Sequence, residues 1–141
     1  MTGAGQDAGS GAIRRIDPFD LPEWLGEEEV TWVADAGLRA GHALAGRLTG
    51  NGHDPLPCDL LAVDEAYPVT VADQDVRHDA HQAWRHGQVL LVGGDDRLTL
   101  AVPGTRFGPD LVLDALGRLA KAVGASADRY SVLLRIGTDR R

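Results

Sequence analysis

Two hydrophobic periods follow one another along the chain. In VTWVA, residues 30–34, β-branched and aromatic side chains predict a strand, and Asp35-Ala36-Gly37 supplies turn chemistry. A second extended run, His42 to Thr49, alternates Leu44, Gly46 and Leu48 with Ala43, Ala45 and Arg47, so that one side faces a core and Arg47 reaches water. The two runs read as a hairpin, with Gly46 marking a bulge. TGNGHDPLP, residues 49–57, concentrates loop-forming residues, and Cys58 to Ala66, with its LLAV centre, predicts a third strand. Gln88 to Val92 and Arg97 to Val102 form a second hairpin around Gly93-Gly94-Asp95-Asp96, and Tyr130 to Ile136 is a last strand.

The period changes twice to that of a helix. From Asp73 to His86, Val76, Ala80, Ala83 and Trp84 fall on one face. Asp73 is the natural N-cap, Asp75 sits in the acid-favouring first turn, and Gly87 is the stop. From Pro109 to Val123, Val112, Ala115, Leu116, Leu119 and Val123 form a stripe, with Pro109 suited to the first helical position and Gly124 to the exit. Asp114 and Arg118 can pair at i,i+4. The glycine-rich residues 1–12 read as a disordered tail, residues 13–137 as a single domain, and 138–141 as a frayed end. Ile13 to Leu25, which carries Phe19, Leu21, Trp24 and Leu25 spaced by Pro18 and Pro22, drapes over the core, with a helical turn starting at Pro22. The expected fold class is α+β, in the order β-β-β-α-β-β-α-β. Hairpin connections predict a mainly antiparallel sheet with the helices packed on one face.

Composition narrows the function classes. The 141 residues suffice for one core without staples, and 43% apolar with 25% charged residues is ordinary for a globular chain. No apolar run approaches the roughly 20 residues of a membrane span, and the first residues lack the basic-then-apolar order of a secretory signal. A cytoplasmic protein without a membrane partner is expected. The net charge is −7, and the arginines are scattered, with Lys121 the sole lysine. Phosphate backbones are bound by clustered cations, so a nucleic-acid partner is not expected. Cys58, the single cysteine, excludes an internal disulfide and reads as a small buried hydrophobe.

Candidate chemistry gathers in DQDVRHDAHQAWRHG, residues 73–87. His78 and His81 are i,i+3 neighbours on the polar side of the predicted helix, and Asp75 can complete a metal-ligand set. Arg77 and Arg85, at i−4 and i+4 from His81, crowd that position with cations, so a solvated helix face is the simpler reading. Gly93-Gly94-Asp95-Asp96 joins two strands and presents carboxylates, unlike a phosphate cradle, which opens a helix. No cofactor fingerprint is present. Asp64 and Glu65, as consecutive strand residues, point to opposite faces and do not cooperate. Arg106, beside Thr105 near a helix start, is a candidate contact for a partner's anion. Trp24 is a candidate anchor, either for a partner or for the N-terminal arm, whereas Trp32 and Trp84 belong to the core.

Apart from the final strand, this element order over Leu21 to Val123 resembles that of the type III secretion chaperones and their bacterial YbjN-type relatives: a short helix, three strands, a helix, two strands and a helix. The resemblance implies dimerisation and the binding of another polypeptide, and brings no catalytic residue. Two functions follow as expectations. The first is a non-enzymatic binding or adaptor domain whose partner is another protein or a second copy of itself. The second is a small metal-dependent enzyme or metal binder centred on His78 and His81.

Overall fold

The computed structural model describes residues 14–35, 43–64, 74–94 and 97–133. The strands are β1 (Arg14–Arg15), β2 (Val30–Ala34), β3 (Ala43–Leu44), β4 (Gly46–Gly50), β5 (Leu56–Ala62), β6 (Leu90–Gly94), β7 (Arg97–Val102) and β8 (Tyr130–Leu133). The helices are α1 (Trp24–Glu27), α2 (Gln74–Arg85) and α3 (Pro109–Ala122), with 3-10 turns at Pro18–Asp20 and Ala127–Arg129. The strands form one sheet in the order β1-β6-β7-β5-β4-β2-β8, with β3 also on β5. None of the described helices is long and apolar enough to cross a membrane.

The α+β class holds, but the sheet is mixed. β5 runs parallel to β7, with Leu60 opposite Leu100, and β8 runs parallel to β2, with Val132 opposite Trp32. The local hairpin of β6 and β7 is antiparallel as expected. Its docking onto the earlier strands is what periodicity missed. Leu98, Leu100, Ala101 and Val102 are all buried, and a strand that is apolar on both faces belongs in the middle of a sheet, so β7 lies between β6 and β5.

The same double burial overturns the expectation that both helices pack on one face. Leu91, Leu98, Leu100 and Val102 join the cluster containing Val112, Leu116 and Leu119 of α3. Their alternating neighbours Leu90, Val92 and Ala101 join Val76, Ala80 and Ala83 of α2. Successive strand side chains point to opposite faces, so α2 and α3 cover opposite sides of the sheet.

Several boundaries differ from the sequence reading. Gly94 pairs with Arg97, so the strands extend through both glycines, and Asp95 and Asp96 lie outside the described residues. Arg14 and Arg15 begin the arm as a short edge strand against Gly93 and Val92, and after them Ile16, Leu21, Trp24 and Leu25 pack on the core. The third strand spans Leu56–Ala62, beginning inside the expected loop. Gly46 marks no bulge, because the pairs Leu44–Leu60 and Arg47–Pro57 keep one register across it. A side chain there would collide with the indole of Trp32, so the glycine is required by close approach. Trp32 is fully buried, and its Nε1 donates to Cys58 O at 2.8 Å. Asp73, Glu65, the N-terminal tail and residues 134–141 lie outside the described residues.

Candidate functional site

Both long helices end where the sequence places a glycine stop, and this builds a cleft. At the end of α2, Gly87 adopts φ 79°, Gly87 N donates to Trp84 O at 3.1 Å and Gln88 N to Ala83 O at 2.8 Å. This is the paired bonding of a left-handed glycine cap, which turns the chain from α2 into β6. At the end of α3, Gly124 N donates to Lys121 O at 3.1 Å and Ala125 N to Ala120 O at 2.8 Å, the same motif. Opposite them, Ile16 N donates to Leu91 O at 2.8 Å and carries the edge strand into the Pro18–Asp20 turn. Asp17 caps that turn by accepting from Phe19 N.

Between these segments lies a cleft of about 670 Å³, within the usual range for ligand pockets. Ile16, Ala83, Val89, Leu91 and Ala122 supply apolar lining, and Arg15, His86, Arg118 and Lys121 supply basic side chains. Arg118 organises one wall. Its guanidinium lies 3.4 Å from the ring centroid of Trp84, while Nη1 donates to Trp84 O at 2.8 Å and Gln88 O at 3.1 Å, and Nε to Asp114 at 3.0 Å. The i,i+4 pair expected from sequence is present, but its larger role is to tie α3 to the end of α2 across the sheet's end. Trp84 is accordingly only partly buried at the core margin. Phe19, within the segment expected to drape over the core, is 94% exposed next to Pro18 of the cleft lining.

The candidates named from sequence lie elsewhere. His78 and Asp75 are exposed on α2. His81, 47% exposed, turns to Asp64, with its Nε2 2.9 and 3.0 Å from the two carboxylate oxygens. Asp64 also accepts from Gly104 N at 2.9 Å, and its own N–H donates to Gly104 O at 2.9 Å. His81 is therefore built into a latch joining α2 to the ends of the parallel strands β5 and β7. Among the described residues, no three His, Cys, Asp or Glu side chains converge on a point where a metal could sit.

Trp24 is engaged within the chain, stacked on the His53 ring at 4.7 Å and lying over Gly50, while His53 Nε2 is 3.0 Å from both carboxylate oxygens of Glu28. Arg106 is exposed in the segment from β7 to α3, and neither it nor Trp24 lines the cleft. Cys58 is fully buried, and loss of hydration pushes its thiol well above the usual range, so it stays protonated.

Sequence reasoning singled out Arg118 only as a surface pair, and passed over Arg15, Gln88 and Lys121. The available signal was the coincidence of glycine stops with basic last turns, which marks where helix ends meet but not which ends meet each other. No family model, curated protein or solved structure matches the chain.

Proposed function

We propose that this chain is a non-enzymatic binding module that holds a segment of another polypeptide in the cleft between β1 and the C-terminal ends of α2 and α3. The observation that carries this reading is the lining itself, an apolar floor bordered by basic side chains beside an exposed aromatic at Phe19. Such a mixture suits a peptide, whose apolar groups need burial and whose polar groups need partners. The histidines that reach carboxylates, His81 and His53, are occupied in links between elements. Among the described residues, the side-chain hydrogen bonds of these two rings go to Asp64 and Glu28.

The succession of α1, the strands from β2 to β5, α2, the β6–β7 hairpin and α3 adds support, through its likeness to the secretion chaperones, for a polypeptide partner and for self-association in the cytoplasm. β1 and β8 are the extra strands. Light scattering checks the self-association, with a dimer as the expected result.

The cleft is tested by placing a photo-crosslinking residue at Gln88 and, as a control, at the exposed Leu113 on α3. In cells making the protein, a discrete crosslinked polypeptide from position 88 and none from 113 is expected. Equal crosslinking from both positions, or none from 88, overturns the reading.

A further inference from the structure

Charge in the cleft runs against the charge of the chain. The protein carries −7 overall, with 21 acidic residues against 14 basic ones, yet the lining brings Arg15, Arg118 and Lys121 together against Asp17 alone. Two helices end here, and their carbonyl ends favour cations, so some of this positive charge serves the fold. Arg118 does so directly, donating to Trp84 O and Gln88 O and pairing with Asp114. It thereby answers the carbonyls at the end of α2 and leaves the other basic side chains available.

Lys121 extends beside Gly87, and among the described residues no carboxylate pairs with it. His86 likewise has a ring without a side-chain partner among them. Arg15 pairs with Asp79, but its side chain is 66% exposed, and the planar guanidinium has further N–H groups to offer.

Resting on the binding-module reading, we propose that the preferred occupant is an acidic segment of a partner protein that also carries apolar side chains. Its carboxylates meet Lys121, His86 and Arg15, and its apolar side chains settle on Ile16, Val89 and Ala122. Charge complementarity selects this occupant. A basic segment would confront the cations of the lining, whereas an acidic one finds there basic side chains on a chain whose net charge is −7.

The test uses the full chain and short fluorescent peptides read by anisotropy at low salt: alternating Leu-Glu, alternating Leu-Lys, and alternating Ser-Glu. Saturable binding of the Leu-Glu peptide is expected, weakened roughly tenfold or more by Lys121→Glu or Arg15→Glu, less by Lys121→Gln, and weakened by added salt. Arg106→Glu, outside the cleft, should leave the affinity unchanged. Equal binding of Leu-Lys, or indifference to the cleft variants, overturns the acidic preference. Equal binding of Ser-Glu overturns the role of the apolar floor. If Gln88 still crosslinks one polypeptide while the acidic preference is absent, the binding module stands and this inference falls. If neither crosslinking nor peptide binding occurs, both fall.

Discussion

The two faces of the sheet are built to different depths. Beneath α3, the strands contribute Trp32, Leu48, Leu60, Leu98 and Leu100 and the helix contributes Val112, Ala115, Leu116, Leu119 and Ala120, all essentially inaccessible. Beneath α2, the buried residues among those described form a smaller cluster of Val63, Ala80, Leu90, Val92 and Ala101. Polar links supplement the packing of α2: Arg15 to Asp79, His81 to Asp64, and Arg118 to the carbonyl of Trp84. Apolar burial is strong and non-directional, whereas exposed ion pairs are weak and screened. Among the described residues, the α3 face therefore holds most of the apolar stabilisation, and the α2 face leans more on polar links. Regions of thin burial open more readily.

The largest effect expected from this division concerns Cys58, sealed on the α3 face with its thiol kept protonated by burial. Its alkylation in the native state should be slower than in the unfolded chain by about a thousandfold or more, as a domain with ordinary global stability requires. Rapid labelling of the folded protein would place the weak face on the wrong side.

Next in size, Leu116→Ala should cost about 2–5 kcal/mol in urea unfolding, through lost burial and the cavity left behind. Val76→Ala, on the half-buried stripe of α2, should cost about 1 kcal/mol. Equal losses would break the comparison. Asp64→Ala removes the acceptor for Gly104 N as well as the His81 contact, and about 1 kcal/mol is expected from the same measurement. The smallest change is His81→Ala, which removes only an exposed pair and should fall within about 0.5 kcal/mol. A larger loss for His81 than for Asp64 would show that the imidazole, and not the Gly104 bond, carries the latch.

Much of the fold was legible locally. The stripe on α3, its proline start, the glycine caps after both long helices and the β6–β7 hairpin follow from features spaced within a few residues. The extended run expected after the first turn was also legible, since β3 (Ala43–Leu44) and β4 (Gly46–Gly50) share their register on β5. The candidate site was far less so. Its lining comes from residues 15–18, 83–91 and 118–122, and nothing in any of these segments says that it faces the other two. The histidine helix drew attention through composition, yet His81 is committed to Asp64, a residue 17 positions earlier and on another element.

Taken by itself, the sequence determined where the chain is helical, where it is extended and where it turns, because propensity, capping and side-chain period act over one or two turns of backbone. The tertiary structure alone decided that β7 enters beside β5 in parallel, that β8 crosses to the far edge beside β2, and that α2 and α3 take opposite faces. Those choices depend on which strands bury both sides at once. Burial is a property of the assembled sheet, so no local pattern carries it.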